Sequence, residues 1–357
     1  MPSAEATATD GPVTAGAGPS RAANRVFFGC LVYTAALALV WLFFLITQRD
    51  GGLLFRNYNV TIETIQRLAA GFAVFWFGWG WLWYRIKRVL LSRVVGLSKD
   101  ELTATFASRM GTPFDLPSLL TNHSERRIRI VDMIARRGRT IVPLLAGFTY
   151  FYFHISKHPV SESLTLGIQD NFLDAIALSA ALLACYYSSG LLGRVFYGAH
   201  ARVMDGRLGR ANVLLIAMMW TLFKFVMIPM GVYLAKVFPT DTYAALFAFI
   251  WVSYVVSDTL SEVVGSLFGK QKLHVWGLGD VNRKSVAGTW ACFLGSLAVC
   301  CAVVFARHLP LPWLGLAVVI SLSNTLTELF SPRGTDDFTM ATANGLLCCA
   351  FGALVHP

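Results

Sequence analysis

The sequence predicts an all-α, polytopic membrane protein, and three observations carry that reading. Of its 357 residues, 55% are hydrophobic and only 14% are charged, against roughly 25% charged in soluble domains. Mean hydropathy is +0.57. The apolar residues gather into about nine runs that approach the ~20 residues a helix needs to cross a bilayer core.

Those runs centre on 26–46, 68–84, 140–156, 172–193, 212–234, 243–262, 287–306, 312–330 and 338–355. Ahead of them, residues 1–24 are rich in Ala, Gly, Pro, Ser and Thr and show no apolar period, which predicts a disordered tail. Residues 25–139 then read as two membrane helices followed by a basic amphipathic segment, and residues 140–357 as a membrane-embedded domain. The seven cysteines all fall in apolar runs without the spacing or partner histidines of a zinc site, so they read as small packing residues.

Charge sets the orientation. Arg85, Lys87, Arg88, Arg93, Arg126, Arg127, Arg129, Arg136, Arg137 and Arg139 crowd one connection, and the alternate connections carry Arg194, Arg202, Arg207, Arg210, Lys270, Lys272, Arg283, Lys284 and Arg333. Basic loops are retained on the cytoplasmic side, which puts the N-terminus and all these loops there. The membrane itself is the endoplasmic reticulum in a eukaryote or the plasma membrane in a bacterium. The net charge of +10 is accounted for by this rule and by anionic lipid head groups as partners, with no need for nucleic acid.

Segment 85–139 is the longest polar piece. Ile86, Val89, Leu90, Val94, Ile128, Val131 and Ile134 recur at helical spacing opposite arginines, as in helices that lie in the membrane interface. Ser98 with Glu101 three residues on forms a capping box that starts a short helix. This segment reads either as a scaffold without chemistry or as a surface that gathers substrate.

The stretch "SDTLSEVVGSLFGKQKLHVWGLGDVNRKSVAGTW", residues 257–290, interrupts the apolar pattern. Asp258 and Glu262 are four apart, so a helix places them on one face. Ser257, Ser261, Gly265 and Gly269 form an adjacent stripe with almost no side chain. Small residues at this interval are what membrane helices use to dock closely, but carboxylates at the membrane rim are costly and point to function. Gly269 and Lys270, then a glycine-rich loop, then Lys284, Ser285 and Gly288 at the start of the next run, supply the backbone N–H groups and cations that hold phosphates. A carboxylate beside them would hold magnesium. A third patch, "NTLTELFSPRGTDDFT" at 324–339, places Glu328 before a Pro332–Gly334 turn and Asp336-Asp337 after it, so the three acids can converge.

Asp258, Ser261, Gly265 and Gly269, then Lys284-Ser285 with Gly288-Thr289, then Glu328, "SPRG" and Asp336, together resemble the family of dolichol kinases, phytol kinases and yeast-type diacylglycerol kinases. The phosphatidate cytidylyltransferases are a looser relative. The resemblance covers roughly 240–357, and it implies CTP-dependent phosphoryl transfer to the hydroxyl of a membrane lipid alcohol at the cytoplasmic face. It further implies catalytic roles for Asp258, Glu328 and Asp336, with nucleotide contacts from Gly265, Gly269, Lys284 and Ser285, to which the phosphate-binding chemistry of the stretch itself adds Lys270 and Gly288. Magnesium would be held by Asp258, Glu262 and Asp336. The chain departs from the family at Asp336-Asp337, where an Asp-Asn is common. It also lacks an evident Arg-Lys-x-x-His element, for which "RRGRTIVPLL" is the nearest stretch. A cytidylyltransferase and a membrane transporter are the alternatives, and neither the lipid nor the oligomeric state is specified.

Overall fold

A computed structural model describes residues 28–29, 31–36, 39, 78–107, 116–157, 198–199, 201–204, 209–273, 284–331 and 335–355. These residues are mostly helical, with no strand among them and one isolated bridge between Lys272 and Ser285. The expected tail at 1–24, the run at 172–193, most of that at 26–46, the glycine loop with Asp280 and Arg283, and the Pro332–Gly334 turn lie outside the described residues.

The basic segment folds into a small helical cap. Helix α1 (Gly80–Leu90) continues through a π-helical turn at Leu91–Val95 and stops at Gly96, whose φ of 88° suits a residue without a side chain. The predicted capping box then opens α2 (Lys99–Ala107): the Ser98 N–H donates to Glu101 Oε2 at 2.8 Å and the Glu101 N–H to Ser98 Oγ at 3.2 Å. After α3 (Leu116–Asn122) comes α4 (Glu125–Lys157). Tyr84, Leu91, Phe106, Ile128 and Val131 share one core with Ala199, Val203 and Met204, and the Tyr84 and Phe106 rings meet edge to face at 5.1 Å.

The cap differs from the expected interfacial helices in two ways. Its apolar stripe divides: Ile128 and Val131 are buried in the core, whereas Val89, Val94 and Ile134 stay exposed. The boundary expected at residue 139 falls inside the 33-residue helix α4, which runs on through the apolar run at 140–156. Gly138, which looks like a breaker, is instead a contact point. A Cβ there would lie 1.9 Å from the tip of the Trp83 ring of α1, so any larger residue would push that ring aside.

The second half is a helix bundle. It comprises α5 (Gly209–Val237), α6 (Thr240–Phe247), α7 (Ser253–Phe268), α8 (Val286–Ala306), α9 (Pro312–Phe330) and α10 (Asp336–Val355). A π-helical turn at Ala248–Val252 joins α6 to α7 into one run. Among the described residues, four helices, Thr242–Phe268, Val286–Ala306, Pro312–Phe330 and Asp336–Val355, are long and apolar enough to cross a membrane; they cover the runs predicted at 243–262, 287–306, 312–330 and 338–355, the first running six residues further. α7 packs on α8, α8 on α9, α9 on α10 and α10 on α5. Leu246, Phe249, Trp313, Ile320 and Cys348 fill the centre, with Trp313 and Phe351 edge to face at 5.0 Å. Trp290, Phe305, Leu311, Leu322 and Leu354 point outward, as lipid-facing residues do. Cys292, Cys300 and Cys348 are buried and unbridged, in keeping with a packing role.

Candidate functional site

The helical spacing of Asp258 and Glu262 puts both carboxylates on one face of α7, and the structure sets two consecutive arginines of α4 against them. Arg137 Nη1 lies 2.7 Å from Asp258 Oδ2, and its Nε contacts Glu262. Arg136 Nη1 lies 3.3 Å from Glu262 Oε1, and its Nη2 lies 4.0 Å from Asp258 Oδ2. Arg137 also donates to the Asp258 carbonyl at 3.2 Å and to Thr259 Oγ1 at 3.3 Å. Arg202 reaches Glu262 Oε1 from the 201–204 segment at 3.8 Å. Asp258 is 6% exposed and Arg137 8%. Charges buried to this degree persist only when paired and hydrogen-bonded, and here each is.

A second ion pair adjoins the first. Ser261, one turn after Asp258 and next to Glu262 in the chain, donates to Glu328 Oε1 at 3.2 Å, and the same oxygen pairs with Lys284 Nζ. Glu328, near the end of α9, is 4% exposed. Burial works against the charge on Lys284, yet the Glu328 and Asp336 carboxylates and the Glu328 hydrogen bond hold its pKa above the ordinary lysine value. Lys284 therefore stays an ammonium at neutral pH. Asp336 and Asp337 are half-buried in the first turn of α10, where the helix dipole favours negative charge. Their charges reach Arg136, and that of Asp336 reaches Lys284 as well.

The small residues let α7 and α8 approach closely. Ser285 caps α8 by accepting the Gly288 N–H at 3.2 Å. A Cβ on Gly265 would sit 3.1 Å from Ser285 Oγ, one on Gly269 2.5 Å from it, and one on Gly288 2.8 Å from the Ser261 carbonyl. Gly265 and Gly288 thus meet backbone to backbone where α7 and α8 touch, and Gly269 leaves room for the Ser285 side chain. Lys270 is exposed just beyond the end of α7.

A neutral polar node lies further along the same helices. Asn324, one turn before Glu328, donates to Ser253 Oγ at 3.1 Å and to Ser296 Oγ at 2.8 Å, and its own Oδ1 accepts from Asn344 at 2.8 Å. All four side chains are fully buried. They tie α7, α8, α9 and α10 together.

Among the predicted residues, the structure brings together Asp258, Glu262, Glu328, Lys284 and Ser261, with Asp336 at the edge. The sequence reading counts Arg136, Arg137 and Arg202 as loop charge and not as site residues. The one available signal was "RRGRTIVPLL" standing where the family resemblance expects a basic pair.

The site can be tested for magnesium on its chemistry. Among the described residues, no group of three or more His, Cys, Asp or Glu side chains is gathered to hold a metal ion. Asp258 and Glu262 face guanidinium groups, so these carboxylates do not fit a cage for a resident cation. The cluster combines four cations, Arg136, Arg137, Arg202 and Lys284, with the carboxylates that hold them in place. It can offer positive charge to an anion, and in Glu328 a carboxylate to accept a proton. Compared with protein-family models, curated proteins and solved structures, the chain matches none.

Proposed function

We propose that this cluster transfers a phosphoryl group from a nucleotide triphosphate to the hydroxyl of a membrane lipid alcohol, at the cytoplasmic end of a chain with about nine membrane helices. CTP is the donor that the family resemblance favours, with a polyprenol, a phytol-like alcohol or diacylglycerol as acceptor. The observation that carries this reading is the convergence of Arg136 and Arg137 with Asp258 and Glu262, beside Lys284 and Glu328, at one end of apolar helices. Fixed guanidinium and ammonium groups in a water-poor setting are what charge developing on a transferring phosphoryl group requires.

In this reading Arg136, Arg137 and Lys284 take the phosphate oxygens and leave their present carboxylate partners as they do so. The lipid oxygen attacks the γ phosphorus, the bond to the bridging oxygen breaks, and the nucleoside diphosphate departs with that electron pair. The hydroxyl proton passes to Glu328, which is within reach of Ser261 and Lys284. Leu260, Leu326 and Phe330, exposed on α7 and α9 close to these acids, offer the acceptor chain an apolar approach. A magnesium ion carried by the triphosphate would need only one or two carboxylates, and Asp336 is the one this reading leaves for it.

The test is incubation of purified protein with γ-labelled CTP, with ATP as the comparison donor, and a panel of lipid alcohols. Label in the lipid is the expected result, and no label from either donor overturns the proposal. Pyrophosphate released from CTP with a lipid phosphate would mark a cytidylyltransferase. Nucleotide-independent solute flux would favour a transporter, the reading to which the buried Asn324–Asn344 node lends itself.

A further inference from the structure

Beyond the cluster itself, the cap holds a second buried ion pair. Lys87 Nζ of α1 lies 3.1 Å from Asp132 Oδ1 of α4, with each side chain 3% exposed. Both partners also grip the 201–204 segment: Lys87 donates to the Ala201 carbonyl, and Asp132 Oδ2 accepts the Met204 N–H at 3.1 Å. Arg202, which reaches Glu262, is held between those two attachment points. Arg136 follows Asp132 by one helical turn and Arg137 by one residue more. Arg139 adds a further tie, donating to the Ala199 carbonyl at 2.8 Å.

We propose that the Lys87–Asp132 pair is a positioning element that sets Arg136, Arg137 and Arg202 against Asp258 and Glu262. The proposal rests on the reading of that cluster as a phosphoryl-transfer site. A guanidinium misplaced by an ångström loses much of its contribution to binding a triphosphate, and α4 is a rigid rod whose roll is pinned where Asp132 meets Lys87. Two bonds, one at Ala201 and one at Met204, flank Arg202 in the chain. Lys87 and Asp132 touch no reacting group themselves.

Asp132→Asn, Lys87→Met and the double variant K87M/D132L separate positioning from bulk stability. Removing one partner strands a buried charge, whereas an apolar pair of similar size restores a stable core. In the full chain in lipid nanodiscs, the double variant keeps its melting temperature within about 3 °C of wild type. Its KM for the nucleotide rises about tenfold or more, with kcat within about threefold. A KM that returns to the wild-type value together with the melting temperature overturns the proposal, because a purely structural pair would behave that way. Hydrogen exchange supplies the second measurement. Amides of 125–139 and 201–204 exchange about tenfold faster in D132N and in the double variant than in wild type. Unchanged exchange in both overturns the positioning role. Absence of phosphoryl transfer by the wild-type protein sinks the transfer reading alone, and the exchange result then decides the positioning claim.

Discussion

Two polar centres share helices α7 and α9 and are built on opposite principles. The charged centre joins Asp258, Glu262 and Glu328 to Arg136, Arg137 and Lys284, and its cations come from outside the apolar helices, from the cap and from the loop before α8. The neutral centre joins Asn324, Asn344, Ser253 and Ser296, all of them from inside the bundle. Within apolar helices an amide or hydroxyl needs only a partner of its own kind, whereas a carboxylate needs an opposite charge, and the nearest ones lie at the helix ends. Asn324 and Glu328, one turn apart on α9, mark the change from one regime to the other. Function is expected at the charged centre and register at the neutral one.

That contrast is most open to attack at Asp258. Asp258→Asn takes from Arg136 and Arg137 one of their carboxylate partners, and transfer to lipid falls by about a thousandfold or more if the cluster reacts. Initial rates on whichever lipid accepts the label check this. Wild-type turnover would dissolve the distinction between the two centres, leaving both as glue.

The α7–α8 seam connects them and is the next most sensitive element. Gly288→Ala places a methyl group 2.8 Å from the Ser261 carbonyl, and overpacking of this kind destabilises by about 1–3 kcal/mol. Because Ser261 holds Glu328, activity drops along with the melting temperature. A melting curve that matches wild type would mean the two helices do not meet here as described.

At the neutral centre, Asn324→Leu removes hydrogen bonds to Ser253, Ser296 and Asn344. Hydrogen bonds between membrane helices are worth about 0.6–2 kcal/mol, so a lower unfolding midpoint with kcat preserved is expected. Loss of kcat at unchanged stability would move function into the bundle interior and revive the transporter reading.

The smallest effect belongs to an exposed polar contact that serves as the control for both. Ser98→Ala breaks one half of the capping box, at a cost of about 0.5–1 kcal/mol for an exposed cap. Its partner Glu101 has its pKa lowered by the Ser98 backbone N–H and by His123. A carboxyl depressed in the folded state contributes stability above its unfolded pKa, near 4.3, and loses it as pH falls through the lower folded value. Acid titration of the melting temperature should therefore show a step below about pH 4.5 that is absent in Glu101→Gln.

How much of this was legible beforehand varies residue by residue. Asp258 and Glu262 share a face because of helical period alone, and the Ser98–Glu101 box is a local pattern that needs no neighbours. Glu328 was visible as an acid near a turn, but its partners were not, since Ser261 and Lys284 lie 67 and 44 residues away. The glycines carry less information: the same spacing serves a phosphate loop or a helix seam, and only the approach of Ser285 and Ser261 shows how closely the chain packs at these positions. Arg136 and Arg137 were counted only as loop charge, because the rule that orients membrane proteins explains any arginine equally well.

By itself, then, the sequence determined the helical class, the positions of the four apolar helices and the Ser98–Glu101 cap, because each follows from periodicity or composition over a few turns. Only the tertiary structure decided that the arginines of α4 face the carboxylates of α7, that Lys284 pairs with Glu328, and that α4 runs unbroken past Gly138 to make room for Trp83. These are contacts between segments far apart in the chain, and burial is what selects them. A buried charge must find its opposite wherever folding can bring one, and no local pattern says which of the arginines that will be.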